Sequence, residues 1–125
     1  MRILIADDSD AVRRGVIGLL SAEPAWEVCG EARDGMEALE KAGELHPDLI
    51  ILDISMPGIG GLETATSLRR EWPRAIILVI SAHDPARLLP RVIEAGANAC
   101  LDKSRLASDL LGTIRSLGTA SSNER

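Results

Sequence analysis

The sequence is short of aromatic residues, cysteine and histidine. Two tryptophans supply the whole 2% aromatic content, and tyrosine and phenylalanine are absent, so a folded core must be aliphatic. No apolar run approaches the roughly 20 residues that cross a bilayer, which excludes a membrane span. The two cysteines come without an export signal, which favours reduced thiols and a cytoplasmic location.

Positive charge is also in deficit. The chain has 14 basic and 19 acidic residues, for a net charge of −5. Non-specific binding to DNA, RNA or an anionic membrane needs clustered basic groups, so this balance disfavours all three. The 125 residues, 46% hydrophobic and 26% charged, are enough for one ordinary globular domain with a full core.

Hydrophobic patterning alternates between strand and helix five times. Apolar runs predict strands at residues 3–6, 26–32, 49–53, 75–80 and 99–101, and apolar residues at helical spacing follow each of them. Only the second run carries glutamates on one face, so we predict it at a sheet edge. The alternation predicts an α/β fold, a doubly wound five-stranded parallel sheet with helices on both faces.

Capping residues place the helices between these strands. The predicted N-caps are Ser9, Asp34 (with Glu37 three residues on), Asp84 and Ser104. The last apolar stripe ends at Leu117, and the chain beyond it is small and polar. We therefore predict one domain over residues 1–117 and, over residues 118–125, a flexible tail or the start of a linker.

Four predicted strands end in groups suited to phosphate chemistry: Asp7-Asp8, Asp53, Ser81 and Lys103. Singly, each has a plain explanation as a helix cap, turn or surface residue. Because the carboxyl ends of parallel strands meet at one edge, however, they are expected to share a crevice. Three carboxylates repel unless a cation lies among them, and oxygen ligands favour Mg²⁺, or Mn²⁺, over zinc. Such a site expects a phosphate, for which Asp53 is the natural nucleophile.

The same residues resemble the signature of response-regulator receiver domains. Its parts are Ala6-Asp7-Asp8-Ser9, Asp53-x-x-Met56-Pro57-x-x-x-Gly61, Ser81-Ala82 and Lys103. Shorter strings resemble the NarL/LuxR/FixJ group: Val12-Arg13-Arg14-Gly15, Glu31-Ala32-Arg33-Asp34-Gly35 and Ala95-Gly96-Ala97. The resemblance extends to about residue 117 and implies the flavodoxin/CheY-like (βα)5 fold, with strand order 2-1-3-4-5. In that order Cys29 and Cys100 lie on opposite edges, about 19 Å apart and too far for a disulfide.

The resemblance also implies a role for each candidate residue. Asp53 is implied as the phosphoacceptor, with Ser81 and Lys103 acting on the phosphoryl group. The implied Mg²⁺ ligands are Asp8, Asp53 and the backbone carbonyl of Ser55, with Asp7 reaching the metal through water.

The implied function is that of a phospho-accepting receiver in two-component signalling. A partner sensor histidine kinase phosphorylates Asp53, and the acyl phosphate biases a protein-interaction surface between two states. Receivers of the NarL-like group usually precede a DNA-binding domain, so we expect control of transcription through an output domain absent from this sequence. The resemblance implies the first and fifth helices as faces for a homodimer. Such a domain is no enzyme and at most dephosphorylates itself slowly.

Two residues depart from the family pattern. Cys100 stands where receivers usually carry tyrosine or phenylalanine, and it cannot swing a ring inward. Pro90 falls in the middle of the predicted fourth helix, where losing the hydrogen bond to Ala86 costs about 3 kcal/mol. It predicts a kink, or an ordered helix beginning near residue 89 or 90. Both departures motivate an alternative function, a receiver-fold interaction module with an atypical or lost phospho-switch.

Two other classes fit the sequence less well. A phosphatase of the haloacid-dehalogenase kind also uses an aspartate nucleophile and magnesium, but it needs Asp-x-Asp, and here the second position is Ser55. A dinucleotide-binding domain needs a glycine-rich turn after the first strand. This chain has Asp7-Asp8 there, which would repel a pyrophosphate.

Overall fold

A computed structural model describes residues 1–56 and 58–123, with only the helical backbone of residues 119–123. Pro57 of the predicted signature lies outside the described residues. In this part of the chain, strands and helices alternate in the predicted order. The strands are β1 (Arg2–Ala6), β2 (Glu27–Ala32), β3 (Leu49–Asp53), β4 (Ile76–Ser81) and β5 (Ala99–Asp102). The helices are α1 (Asp10–Leu20), α2 (Gly35–Leu45), α3 (Gly61–Glu71), α4 (Pro85–Glu94) and α5 (Leu106–Asn123).

The five strands form one parallel sheet in the order β2-β1-β3-β4-β5, which confirms the predicted topology. The half-exposed β2 is an edge strand, as its glutamates predicted. At the carboxyl ends, Ala6 pairs with Leu52, and Asp53 pairs with Ile80. Ser81 in turn pairs with Asp102. The register therefore sets the polar groups that follow these strands along one edge.

The core is aliphatic and divided by the sheet into two layers. Every residue of β3 and β4 is buried, because helices cover both faces of the central strands. Ile3, Ile5 and Leu78 pack with residues of α1 and α5 on one face. Leu4, Leu52 and Ile77 pack with residues of α2, α3 and α4 on the other. Both cysteines are free, in agreement with their predicted separation.

Three of the predicted N-caps are confirmed by hydrogen bonds. Ser9 accepts from the amide of Val12 at 3.2 Å, and Asp34 accepts from the amide of Glu37 at 2.8 Å. Asp84 caps α4 by accepting from the amide of Ala86 at 3.0 Å. The prediction for Ser104 was wrong. Asp102 accepts from the Ser104 amide and hydroxyl and caps a 3-10 turn, Lys103–Arg105, and α5 begins only after this turn.

The bounds of the two later helices differ from those predicted. α4 is continuous from Pro85 to Glu94 and does not begin at residue 89 or 90. Pro90 and Ala86 are both exposed, so water can solvate the carbonyl that proline leaves without a partner. α5 continues past Leu117 to Asn123, because alanine and serine tolerate helix and no proline stops it. Within the described residues, no helix combines the length and apolarity needed to cross a bilayer.

Candidate functional site

The carboxyl edge of the sheet brings three carboxylates together. Asp7 and Asp8 follow β1, and Asp53 ends β3, so neighbouring strands supply them. One oxygen from each lies within 4.8 Å of the others. Asp7 and Asp53 are fully buried, whereas Asp8 is exposed. The predicted convergence of these residues is therefore present, with one carboxylate open to solvent.

Lys103 is the positive charge in this cluster. It follows β5, and its Nζ lies 2.9 Å from Oδ2 of Asp7 and 3.1 Å from Oδ2 of Asp53. Neither oxygen receives another hydrogen bond from the described residues. Burial lowers the pKa of Lys103, but the bonds to the two carboxylates outweigh burial and raise the pKa above its ordinary value. Lys103 thus remains a cation and contacts two buried carboxyl groups.

Asp53 is held by the turn that follows it. The backbone amide and the hydroxyl of Ser55 both donate to Oδ1 of Asp53, each at 3.0 Å. Only the backbone carbonyl of Ser55 was predicted to belong to the site, and its hydroxyl was missed. A serine two residues after an aspartate is a signal for this turn. With Oδ1 bound by Ser55 and Oδ2 by Lys103, the Asp53 carboxylate has a fixed orientation.

Asp7 is also held by a backbone amide two residues further on. Its Oδ1 accepts from the backbone amide of Ser9 at 2.8 Å. Burial raises the pKa of Asp7, although the bonds from Ser9 and Lys103 oppose the rise and the charge on Asp53 adds to it. The charged form of Asp7 is therefore costly in the protein alone, and a further cation would stabilise it.

Ser81 lies at the same edge, at the end of β4 and fully buried. Its Oγ accepts from the backbone amide of His83 at 3.0 Å. No described hydrogen bond joins it to the carboxylates, so the structure places it beside the cluster without making it part of the ion pairs. Because the Oγ acts as acceptor here, the hydroxyl proton remains available to a ligand in the crevice.

These residues fit a hard divalent cation. The donor set is carboxylate and carbonyl oxygen, which Mg²⁺ and Mn²⁺ prefer and zinc does not. The exposed Asp8 offers an open side to the cluster, and three negative charges face one lysine. A divalent ion would offset the remaining negative charge. The candidates to hold it directly are the carboxylates of Asp8 and Asp53 and the backbone carbonyl of Ser55. Asp7 is the candidate to reach it through a water molecule.

Replacing Asp7 with asparagine is expected to make stability less dependent on pH when no divalent cation is present. The pKa of Asp7 is raised in the folded protein, so the folded state binds more protons and stability falls as pH rises through this window. Asparagine keeps the acceptor for Ser9 but cannot ionise. Asp7→Asn should be the more stable protein at pH 7, and its advantage should shrink as pH falls toward the ordinary value of 3.8.

Urea unfolding in EDTA at a series of pH values measures this difference. Asp109→Asn is the matched control, because that carboxylate pairs with Arg105 near the surface of α5. A stability difference between Asp7→Asn and the wild type that does not change with pH would contradict the explanation.

Comparison with known proteins agrees with the fold. The chain is 40% identical over 116 residues to the transcriptional regulatory protein LiaR of Bacillus subtilis, covering 92% of this chain and 54% of that protein. It is 35% identical over 115 residues to the response regulator GacA of Pseudomonas viridiflava, with the same two coverages. The chain thus spans about half the length of the curated relatives it matches.

A solved structure and a family model extend the comparison. The two-component response regulator of the LuxR family from Aurantimonas sp. SI85-9A1 superposes with a TM-score of 0.87 at 32% identity, covering 93% of this chain and 83% of that one. The model of the response regulator receiver domain matches residues 3–115. With the parallel sheet in order 2-1-3-4-5 and the acidic cluster at its edge, these matches show that the chain belongs to the response regulator receiver domain family.

Proposed function

We propose that this receiver accepts a phosphoryl group on Asp53 from a partner sensor histidine kinase, in a reaction that requires Mg²⁺, with Mn²⁺ as a substitute. The observation that carries the proposal is the contact of one lysine with two buried carboxylates. Nζ of Lys103 lies 2.9 Å from Asp7 and 3.1 Å from Asp53. A buried anion fixed beside a cation, at an edge open to solvent through Asp8, suits a nucleophile that must meet an anionic donor.

The chemistry follows from these contacts. A carboxylate oxygen of Asp53 attacks phosphorus, the nitrogen–phosphorus bond of a phosphohistidine breaks, and the leaving imidazole nitrogen takes a proton. Lys103 then exchanges its contact with Asp53 for one with a phosphoryl oxygen. Ser81, whose hydroxyl proton is uncommitted, donates to another phosphoryl oxygen.

The divalent ion has a place in this scheme among the residues already described. When bound, it neutralises charge on the carboxylates and on the transferring phosphoryl group. Asp8, Asp53 and the carbonyl of Ser55 would hold it directly, and Asp7 through a water molecule. The same residues bind the ion and orient the nucleophile, so binding of metal and transfer of phosphate are expected to depend on each other.

The proposed output is a change in protein contacts. The match covers only 54% of the transcriptional regulatory protein LiaR, so we propose that the receiver acts on transcription through a DNA-binding domain outside this sequence. A homodimer through α1 and α5 and a cytoplasmic location belong to the same proposal. The protein is a signalling domain and not a classical enzyme, and at most it would dephosphorylate itself slowly.

A second candidate is an interaction module whose phospho-switch is altered or lost. Cys100 favours it. This half-buried residue packs against the core beside α4, and its thiol is too small to swing inward as the tyrosine or phenylalanine ring of other receivers does. Under this alternative the fold persists, but phosphate or its mimic does not bind or leaves the surface unchanged.

Incubation with acetyl phosphate and Mg²⁺ followed by mass spectrometry of the intact protein tests the proposal. We expect the mass of one phosphoryl group to be added to the wild type and to Asp109→Asn, but not to Asp53→Asn or in EDTA. Beryllofluoride with Mg²⁺ should shift NMR resonances of the wild type and of Asp109→Asn, but not those of Asp53→Asn, and not in EDTA. Absence of both phosphoryl uptake and beryllofluoride binding in the folded wild type would favour the interaction module.

A further inference from the structure

Arg13 is a buried arginine on α1 that contacts the backbone of Asp7 in the acidic site. Arginine is rarely this buried unless its charges are paired, and here the residue is 7% exposed. Nη1 donates to the backbone carbonyl of Asp7 at 2.6 Å, and Nε donates to the carboxylate of Glu31 at 2.9 Å. Nη2 pairs with Asp10. One side chain therefore joins the first helix, the end of β2 and the backbone of Asp7.

These contacts restrain the peptide that leads to Asp8. The amide of Asp7 donates to the carbonyl of Ala32 at 3.0 Å, so the residue is fixed on its amino side by β2. Its carbonyl is fixed by Arg13. That carbonyl belongs to the planar peptide unit joining Asp7 to Asp8, so the bond to Arg13 sets the direction in which the chain enters Asp8.

We propose that Arg13 is a positioning residue for divalent cation binding. By hydrogen-bonding the Asp7 carbonyl it fixes the Asp7–Asp8 peptide. The carboxylates of Asp7 and Asp8 then keep their positions relative to the carboxylate of Asp53. This inference rests on the proposed function, because it takes the three carboxylates as the cation site. Groups that hydrogen-bond ligand residues from outside the metal's own shell commonly set its affinity.

Electrostatics alone predicts the opposite effect of removing Arg13 on the affinity for the cation. Removing the guanidinium leaves the charges of Asp10 and Glu31 without a partner. This added negative charge near the site would attract a cation and tighten its binding. Loss of positioning would instead weaken binding. A purely structural role would lower stability and leave the affinity unchanged.

The probe is Mn²⁺, followed by the electron paramagnetic resonance signal of the free ion. Arg13→Met keeps much of the aliphatic stem and should bind Mn²⁺ about tenfold to a hundredfold more weakly than the wild type. Arg13→Lys should also bind more weakly, because an ammonium lacks the planar fork that reaches Asp7 and Glu31 together. Arg14→Met, which changes the exposed arginine next in sequence, should match the wild type.

Amide hydrogen exchange in the metal-free protein supplies a readout that does not depend on the ion. Loosening of this turn should speed exchange at Ser9, which donates to Asp7, relative to the amides of β4. The ratio cancels a uniform loss of stability. Mn²⁺ binding by Arg13→Met that equals or exceeds the wild-type affinity would overturn the inference. If Arg13→Met does not fold, Mn²⁺ binding by Arg13→Lys with at least the wild-type affinity would overturn the inference. A wild type that binds no Mn²⁺ would instead overturn the proposed function.

Discussion

Replacing Lys103 with methionine is expected to slow phosphoryl uptake from acetyl phosphate about a hundredfold to a thousandfold, the usual loss for a group that stabilises transition-state charge. Within the described residues, Lys103 is the only cation that contacts the side-chain carboxylates of Asp7 and Asp53. Without this lysine, no ammonium group stabilises the negative charge that develops on the phosphoryl oxygens. The initial rate, measured by mass spectrometry at saturating Mg²⁺, tests this directly.

The same substitution should also lower stability when no metal is bound. It leaves two fully buried carboxylates close together with no positive partner. Breaking a buried ion pair by removing one partner costs about 3–5 kcal/mol, and we expect about 2 kcal/mol here because the lysine side chain is 20% exposed. Mg²⁺ should restore part of this loss.

The matched control is Lys41→Met, which removes the chain's other lysine. Lys41 lies on α2 and has no ion pair within the described residues. We expect it to keep wild-type phosphoryl uptake and stability within about 0.5 kcal/mol. Uptake by Lys103→Met at the wild-type rate would show that the lysine does not act on the phosphoryl group.

Features encoded by neighbouring residues were predictable from the sequence. The apolar runs predicted β1, β3 and β4, and the glutamates of β2 predicted its place at an edge. Ser9 and Asp34 cap helices as predicted, because their side chains bond amides only three residues away. The acidic cluster was predictable as well, since parallel strands carry their carboxyl ends to one edge whatever lies between them.

The errors arose where small local preferences compete with the rest of the fold. The cost of Pro90 was taken as decisive, yet α4 continues through it, because tertiary packing of residues such as Val92 outweighs one missing hydrogen bond. The small polar composition after Leu117 predicted a flexible tail or the start of a linker, and the backbone there is helical to Asn123. Composition alone does not distinguish a weak helix from a linker.

Side chains with distant partners gave no usable signal in the sequence. Arg69 on α3 bonds the carbonyls of Ala75 and Gly96 and the side chain of Asn98, and so joins the starts of β4 and β5 to α3. Arg13 bonds Glu31 across 18 positions. An arginine on a helix predicts only a solvated charge until the topology is known. Both residues were therefore missed as structural anchors.

The largest loss of stability is expected from adding one methyl group at Gly61. A Cβ at this position would lie 2.4 Å from Cα and 2.5 Å from the carbonyl oxygen of Ile54. Both atoms are backbone, so neither can move aside as a flexible side chain could. Gly61→Ala should therefore cost about 2–3 kcal/mol, the upper part of the range of about 1–3 kcal/mol for overpacking a tight interior.

The site should lose function with the same change, because Ile54 directly follows Asp53. The amide of Ile54 donates to the carbonyl of Ile80 at 3.1 Å, so a shift here strains the pairing of β3 with β4 at their carboxyl ends. We expect slower phosphoryl uptake in the protein that remains folded. Urea unfolding and the acetyl phosphate assay measure the two effects separately.

Gly60→Ala provides a control one residue away. Apart from its chain neighbours, no atom of the described residues lies within 4 Å of the position of its Cβ, and its φ of −63° suits any residue. At this N-cap position we expect a loss of only about 0.5 kcal/mol. Equal stability of Gly60→Ala and Gly61→Ala would mean that the turn after Asp53 can give way, and that the backbone does not hold the phosphoacceptor as rigidly as this contact implies.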